Sequence, residues 1–443
     1  MSVFEIQNFL AILEQKYHKK VNYDVILITG TAGKSTTSHY LNLILQNFSN
    51  LKIGLFSKPH ITTINERIRV NYIPISNKEF LNYQQNIEEI EKNFNLNLGW
   101  FDKLVAIAIT YFIDQKVDIA IFEIGIGGMN DSTNALNSLV NIITNIYFEH
   151  TDILGKTIKQ IATQKAGIIK KNSIVITNAS KGLKIIKEKC KQTNSELLIL
   201  KKIVKIENIE SKFPFYTYKL KFKKNLLNSS FPQYFYLKFP SYYLVENFLL
   251  ALIAGISFLK IKKIEIKELN SDKKIMSETL QNIINKLELP LKTQVIPYKD
   301  KKIIIDTAKD YLSLKKLFNE LLKQNIKFDV LIAFSKGKEI KLIKKLFLLL
   351  ANNKIKIYLT EHSVQEKKLT PNQIVQKIFK TSSKDEIKKL KNYLKIYLKI
   401  IEPREIPHIL KNPESNLLVT GSLYFCSEIY NNYLQKELSI LQS

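Results

Sequence analysis

The sequence is short of cysteine and of long apolar runs. Its 443 residues contain two cysteines, Cys190 and Cys426, which are too few for a disulfide framework and lack the spacing of a metal-binding pair. The N-terminal residues lack the basic start and apolar core of a signal peptide, and no uninterrupted apolar run approaches the roughly 20 residues of a membrane span. These absences predict a soluble, cytoplasmic protein with no membrane partner.

Acidic residues are also scarce. The chain has 40 aspartates and glutamates against 67 lysines and arginines, a formal net charge of +27, and such an imbalance raises the question of a nucleic-acid partner. The basic residues are nearly all lysines, spread along the whole sequence together with abundant isoleucine and asparagine. This pattern is typical of AT-rich coding rather than of a binding stripe. We expect no nucleic-acid partner, and a positive field that attracts anionic substrates.

The most informative segment is GTAGKST at residues 30–36, which follows the apolar run 25–28 and precedes apolar residues at helical spacing in 37–45. Glycines let backbone N–H groups surround phosphate oxygens, the lysine reaches the β- and γ-phosphates, and a hydroxyl binds magnesium at the helix N-terminus. The alternative is a glycine turn that only joins a strand to a helix. We interpret the segment as a phosphate-binding loop. Its nucleotide-binding candidates are Gly30, Thr31, Gly33, Lys34, Ser35 and Thr36.

The loop is shorter than the usual one. Ile28 stands at the position where an ordinary phosphate loop has its first glycine, and the first glycine of this loop is Gly30. This departure argues against an ordinary kinase or GTPase. The short loop resembles that of the Mur ligase superfamily, whose members are ATP-dependent enzymes that form amide bonds.

Strand patterns in the first half predict an α/β domain. Apolar runs at 119–124 and 140–144 alternate with helical patterns such as 104–113, which indicates a mostly parallel sheet wrapped by helices, with functional loops at the strand ends. Between about 200 and 240 the period changes, because aromatic and leucine side chains alternate with threonine and lysine over 216–222. This alternation predicts a small antiparallel β excursion.

A second series of strands and helices begins after residue 288. Apolar runs at 302–306, 329–334, 355–359 and 417–420 are the expected strands. We therefore predict an α/β protein of two domains: an N-terminal P-loop ATPase domain at 1–288, and a smaller C-terminal Rossmann-like α/β domain at 289–443.

A second motif reads GLFSKPH at residues 54–60 and NERIRVN at 65–71. Taken alone, the Asn-Glu-Arg triplet is equally explained by a loop tied by an ion pair. Joined to the phosphate loop at this distance, the motif resembles the long loop of folylpolyglutamate synthase and dihydrofolate synthase, which runs GLYTSPHL and then NERIxxNG. Further blocks of that family follow in order: EIGIGG at 123–128, DSTN at 131–134, ITNI at 143–146, EHT at 149–151, KAGII at 165–169 and GSLY at 421–424.

The resemblance implies roles for several of these residues. Glu123 and His150 are the implied ligands of a second magnesium ion, and Lys165 is the implied carrier of a carbamate formed with carbon dioxide. Ser35 and Thr36 supply the hydroxyl at the first magnesium, and the sequence leaves open which of them does so. The catalytic candidates are Lys34, Lys165, His150 and Glu123, and the metal candidates are Ser35, Thr36, Glu123 and His150.

The implied reaction is phosphorylation of a substrate carboxylate by ATP, followed by attack of the amino group of L-glutamate on the acyl phosphate. The expected substrates are ATP, L-glutamate, and dihydropteroate or a reduced folate. Lys34 and the metals would stabilise charge on the transferred phosphoryl group, so that no protein nucleophile is needed. The resemblance also suggests a monomer.

The chain departs from the family pattern at several places, most of them in its second half. The DGAHNP block appears as DTAKDY at 306–311, and the HQxxN block keeps only Asn247, a possible adenine contact. Lys292 replaces an arginine, Lys58 replaces the serine before the proline of SPH, and the DKD-like block has become GKE at 337–339. A lysine is not equivalent to an arginine that forks onto phosphate. The remaining nucleotide-binding candidates are Asn247, Lys292 and Asp306.

Two readings compete with a folate ligase. One is another Mur-type amino-acid ligase, against which the NERI, KAGII and GSLY blocks argue. The other is a degenerate protein that binds ATP without ligating glutamate. Because Lys34, Glu123, His150 and Lys165 are all retained while the changes concentrate in the second half, we favour a working ligase. A nucleic-acid binder ranks last, since the aromatics of the basic β-rich stretch alternate as a core face does.

Overall fold

The computed structural model describes residues 2–212, 214–223, 233–266, 273–287, 291–298, 300–309, 311–323, 326–336, 340–380 and 384–434. The chain divides into two compact units. The first comprises Met1–Glu210 and Tyr216–Glu288, and the second comprises Ser211–Phe215 and Leu289–Ser443.

The first unit is built on an eight-stranded sheet in the order β4-β3-β2-β5-β1-β6-β7-β8. Neighbours from β2 to β8 in this order are parallel, whereas β3 and β4 pair in antiparallel fashion at one edge. The mostly parallel sheet predicted from the sequence is confirmed. The strands are β1 Asp24–Thr29, β2 Ile53–Phe56, β3 Ile68–Val70, β4 Ile73–Pro74, β5 Ile119–Glu123, β6 Val140–Ile143, β7 Ile174–Thr177 and β8 Glu196–Ile199.

Helices cover both faces of this sheet. Ile26 and Ile28 of β1 belong to one buried apolar cluster, and Val25 and Leu27 belong to the other. Because a strand buried on both faces needs apolar residues at every position, β1 reads as a continuous apolar run. The helices are α1 Ser2–Tyr17, α2 Lys34–Phe48, α3 Asn77–Asn93, α4 Trp100–Asp114, α5 Thr151–Leu154, α6 Ile158–Ala166, α7 Leu183–Gln192, α8 Leu200–Ile203, α9 Tyr242–Ile261 and α10 Lys273–Asn285, with 3₁₀ turns at Ile64–Arg67 and Ser132–Ala135.

A small three-stranded sheet occupies the predicted β excursion. Its strands are β9 Val204–Lys212, β10 Phe215–Phe222 and β11 Tyr234–Phe239, in the order β11-β10-β9. The pair β10 and β11 is antiparallel. On β10 the buried side chains are Tyr216, Tyr218, Leu220 and Phe222. The alternation in the sequence is thus confirmed as the core face of an antiparallel strand.

Helix α9 is long and apolar enough to cross a membrane by length and composition. In the fold, 83% of its apolar window is buried, and it packs against α2 within the first unit. This burial is typical of a core helix.

The second unit has its own sheet, in the order β12-β13-β18-β14-β15-β17, with β16 paired to β14. β12 and β16 are antiparallel to their neighbours and the other pairs are parallel, which confirms the smaller α/β domain. The strands are β12 Gln294–Tyr298, β13 Lys301–Ile305, β14 Phe328–Ser335, β15 Ile357–Thr360, β16 Lys368–Leu369, β17 Leu398–Ile400 and β18 Asn416–Thr420. The helices are α11 Tyr311–Leu322, α12 Ile340–Asn352, α13 Pro371–Lys380, α14 Lys384–Tyr397, α15 Ile406–Lys411 and α16 Leu423–Ile429, followed by a π-helical turn at Tyr430–Leu434.

The two cysteines are free and buried. Cys190 lies on α7 in the first unit, and Cys426 lies on α16 in the second.

Candidate active site

The candidate site residues of the first unit converge because of strand order. Strands β2, β5, β1 and β6 are parallel neighbours, so the segments that follow them meet at one edge of the sheet. Lys58 comes two residues after β2, Glu123 ends β5, the glycine loop follows β1, and Asn145 comes two residues after β6. Helix α2 leaves the same loop at Lys34.

The loop conformation requires glycine at two positions. Gly30 and Gly33 have φ angles of 146° and 84°, in the region that side chains disfavour. A Cβ on Gly30 would lie 1.8 Å from Thr144 Oγ1, and one on Gly33 would lie 2.3 Å from Asn247 Oδ1. The loop therefore packs closely against Thr144, just after β6, and against Asn247 of helix α9.

Residues after β6 hold the loop in place. The backbone N–H of Thr31 donates to the carbonyl of Asn145 (3.0 Å), and that of Ala32 donates to Asn145 Oδ1 (2.9 Å). Thr144 Oγ1 donates to the Ala32 carbonyl (2.6 Å). The sequence interpretation assigned no role to Thr144 or Asn145, although both belong to the ITNI block that it quoted.

Lys34 and Ser35, the two residues that follow the second glycine of the loop, point into the site. Lys34 Nζ donates to the carbonyl of Gly30 (2.6 Å). Ser35 Oγ lies 3.1 Å from Glu123 Oε1 and also contacts the Lys58 carbonyl. Thr36, in contrast, is 2% exposed. Of the two hydroxyls that the sequence left open, Ser35 is therefore the one beside the carboxylate.

Glu123 is buried at the end of β5, with 1% of its surface exposed. Its Oε2 accepts the backbone N–H of Lys58 (2.9 Å). Burial raises the pKa of Glu123, while the charges of Lys58 and Lys34 act in the opposite direction. The charge state of the Glu123 carboxyl therefore depends on the balance between its burial and the two ammonium groups that act on it.

Lys165 lies on α6 and is almost fully buried, with 1% exposed. Its Nζ forms an ion pair with Glu149, a partner that sequence reasoning did not single out. Burial and the nearby charge of Lys34 lower the pKa of Lys165 to about 8, although Glu149 raises it. The lysine is not the inert, exposed residue that helix lysines usually are.

His150 is exposed and stands at the start of α5. Its backbone carbonyl accepts the N–H of Leu154 (2.8 Å). Within the described ranges, no group of three or more His, Cys, Asp or Glu side chains is able to hold a metal ion. Any metal at Glu123 or His150 would therefore need hydroxyl, water or substrate ligands as well.

The NER triplet organises its own loop. The Glu66 carboxylate accepts the backbone N–H groups of residues 61–63 at 2.8–2.9 Å. Arg67 Nε donates to His60 Nδ1 (3.0 Å), and its guanidinium lies 5.0 Å from the ring centre of Trp100. Trp100 is 59% exposed. The loop is tied through backbone hydrogen bonds to the Glu66 carboxylate, and it presents an aromatic ring beside a cation.

The remaining nucleotide-binding candidates belong to different units. Asn247, on α9 beside Gly33, is buried, and its Nδ2 has no hydrogen-bond partner among the described residues. In the second unit, Asp306 accepts hydrogen bonds from the N–H and hydroxyl of Thr293 and from the N–H of Ala308. Lys292 Nζ donates to Thr307 Oγ1 (2.7 Å). Residues 337–339 lie outside the described part of the chain.

A parallel sheet with a glycine loop at its carboxyl edge defines a phosphate-loop α/β protein. The sequence identifies the family within this class. The family model of the Mur ligase middle domain matches residues 28–255, just over half of the chain. The chain belongs to the Mur ligase family.

The predicted resemblance to folylpolyglutamate and dihydrofolate synthases is confirmed. Over 155 residues the chain is 39% identical to the dihydrofolate synthase/folylpolyglutamate synthase of Bacillus subtilis, an alignment that covers 34% of this chain and 36% of that protein. The match therefore spans about a third of the relative's length.

Solved structures share the whole fold. The structure of E. coli FolC in complex with DHPP and ADP has a TM-score of 0.74 at 20% identity, and covers 100% of this chain and 93% of that one. A bifunctional folylpolyglutamate synthase/dihydrofolate synthase with Mn, AMPPNP and L-glutamate bound has a TM-score of 0.72 at 18% identity, and covers 97% and 93%. At these identities the likeness is one of fold.

Proposed function

We propose that the protein is an ATP-dependent ligase that joins the carboxylate of a pterin or folate to the amino group of L-glutamate. The observation that carries this proposal is the convergence of Lys34, Ser35 and Glu123 at one glycine loop. Lys165 belongs to the same site, because the charge of Lys34 contributes to lowering its pKa. The names of the relatives and the ligands in the related structures support the same activity. The free, buried cysteines suit a reducing compartment such as the cytoplasm.

The chemistry needs positioning and charge rather than a protein nucleophile. A carboxylate oxygen of the acceptor attacks the γ-phosphorus of ATP, and the bond to ADP breaks. The glutamate amine then attacks the acyl carbon, phosphate leaves, and the amine loses a proton. Lys34 is placed to stabilise the phosphoryl oxygens from the loop. The Nδ2 of Asn247 lies beside the same loop and has no hydrogen-bond partner within the described part of the chain, so it is our candidate adenine contact. We retain Lys292 and Asp306 as nucleotide-binding candidates of the second unit.

One divalent ion fits beside the loop. The Ser35 hydroxyl lies 3.1 Å from a carboxylate oxygen of Glu123, and both are oxygen donors of the kind that Mg²⁺ accepts together with phosphate and water. We propose that Ser35, rather than Thr36, holds this ion. Bound there, it would neutralise charge on the nucleotide phosphates.

The His60, Arg67 and Trp100 cluster is our candidate contact for the acceptor. An exposed indole beside a guanidinium offers a flat stacking surface and a positive charge. A pterin ring carrying a carboxylate matches both properties.

The test is phosphate release from ATP with magnesium and L-glutamate, compared with dihydropteroate, with tetrahydrofolate and with no pterin. Release that requires both glutamate and one of the pterins supports the ligase and identifies its acceptor. Release with a peptidoglycan precursor instead would favour another Mur-type ligase. ATP binding without any glutamate-dependent phosphate release would mean that the protein, with its altered second unit, no longer ligates glutamate.

We further propose that Lys165 forms a carbamate. Its neutral amine would attack the carbon of CO₂. An N–C bond would form as one C–O π bond opens and its electron pair moves to oxygen, and the nitrogen would lose a proton to solvent. Because the pKa of Lys165 is lowered to about 8, the neutral amine amounts to roughly a tenth of the protein at pH 7, against less than about 0.1% for an ordinary lysine. The ammonium form is disfavoured by burial, so its cost to stability is present below pH 8 and disappears as the pH rises toward 10.5.

We expect a ¹³C carbamate signal in NMR spectra of the protein under ¹³CO₂. At constant dissolved CO₂ the signal is expected to grow between pH 7 and pH 9, as the neutral amine increases. Lys165→Arg should remove it. Lys159→Arg, an exposed position on the same helix α6, is the matched control and should retain it. A spectrum without the signal at every pH would show that Lys165 acts as an amine.

A further inference from the structure

Lys58 contacts the site through three different groups. Its backbone N–H donates to Glu123 Oε2 (2.9 Å), its carbonyl contacts the Ser35 hydroxyl, and its ammonium donates to the carbonyl of Gly125. Gly125 comes two residues after Glu123, in the loop that leaves β5. The side chain therefore reaches from the end of β2 to the end of β5, across the edge where the phosphate loop lies.

The positive charge of the Lys58 ammonium acts on two buried carboxylates. Glu123 and Asp131 are 1% and 7% exposed. Burial raises the pKa of both carboxyls. The Lys58 charge is the largest influence in the opposite direction on Glu123, and on Asp131 it acts in the same direction but less than the hydrogen bonds from Thr133 and Ile126. Asp131 is otherwise held by the N–H of Ile126 and by Thr133. Buried carboxylates need a cation, and here the chain supplies one of its own.

A second divalent ion at Glu123 does not fit this arrangement. One oxygen of Glu123 lies beside the Ser35 hydroxyl and the other accepts the N–H of Lys58. The Lys58 side chain, whose charge acts on Glu123, offers no ligand, because an ammonium has three donors and no acceptor. A metal ion there would also lie beside a like charge next to a buried carboxylate, where repulsion between like charges is stronger than in bulk water.

We propose that Lys58 is the resident cation of this site, and that the nucleotide-loaded protein binds one divalent ion rather than two. Its positive charge occupies the place next to Glu123 that a second ion would take. This inference rests on the proposed function, since it assumes that the phosphate loop binds ATP with a divalent ion.

The test counts Mn²⁺ ions bound per protein in the presence of AMPPCP, by the loss of the free Mn²⁺ signal in electron paramagnetic resonance. The wild type is expected to bind one ion. Lys58→Ser removes the ammonium and supplies a hydroxyl, and is expected to bind two. Lys58→Arg keeps the charge and should stay at one, as should Lys171→Ser, a change at an exposed lysine away from the site.

Two bound ions in the wild type, or one ion in a folded Lys58→Ser variant that still binds AMPPCP, would overturn the inference and leave the proposed function standing. Circular dichroism and AMPPCP affinity establish whether that variant is folded. If it unfolds, Lys58→Ala takes its place, and a count of one ion in that variant would equally overturn the inference. A wild type that binds neither Mn²⁺ nor AMPPCP would overturn both the inference and the proposed function.

Discussion

Lys34→Ala is expected to lower glutamate-dependent phosphate release by about 100- to 1,000-fold, the range measured when one preorganised group that stabilises transition-state charge is removed. The Lys34 ammonium is held inside the loop by the carbonyls of Gly30 and Thr31 (2.6 and 3.5 Å). Phosphate oxygens can replace these carbonyls as partners without moving the backbone. The loss is therefore expected mainly in kcat, with a smaller loss in ATP affinity.

The control is Lys171→Ala, which removes the same charge from an exposed position and should leave the rate within twofold. Since Lys34 also donates hydrogen bonds to two carbonyls of its own loop, the melting temperature of both variants is needed. A Lys34→Ala protein that melts like the wild type and keeps its full rate would exclude the loop from catalysis.

Phe248→Ala is expected to destabilise the first unit by about 3–5 kcal/mol, the usual result of removing a buried phenylalanine. Phe248 lies on α9, is fully buried, and packs edge-to-face against Tyr40 of α2 and Phe239 of β11, with ring centres 5.3 and 5.5 Å apart. The cavity would lie against the helix that begins at the phosphate loop. Nucleotide affinity is therefore expected to fall as well.

Urea denaturation measures this effect. Trp100 is the only tryptophan and lies in the first unit, so its fluorescence follows that unit, with circular dichroism as a second probe. Phe4→Ala removes a ring that is 61% exposed on α1 and should change the midpoint little. Equal midpoints for both variants would mean that the packing of α9 on α2 contributes little to stability.

The sequence predicted the fold well because its strands carry unambiguous patterns. β1 is apolar at each of its four central positions, 25–28, since it is buried on both faces, and β10 alternates because only one of its faces is buried. The glycine loop was identifiable because backbone N–H groups can surround phosphate only where side chains are absent. In each case the pattern lies within a few consecutive residues.

Contacts across the sheet were not accessible in this way. Glu149 and Lys165 pair across 16 positions, and Asn145 holds a loop more than 110 residues earlier in the chain. The sequence shows that Lys58 differs from the related motif, but only the order of β2 and β5 brings its ammonium to Gly125. The roles assigned to Glu123, His150 and Lys165 remain predictions, to be tested by the experiments above.

Because each unit contains one buried cysteine, the reactivity of each thiol can report the unfolding of its own unit. Burial raises the pKa of Cys190 to about 11 and raises that of Cys426 as well, so neither thiol is a ready nucleophile while its surroundings are packed. An alkylating reagent would mark Cys190 when the first unit opens and Cys426 when the second does. Mass spectrometry of the two cysteine-containing peptides would then show which unit unfolds first.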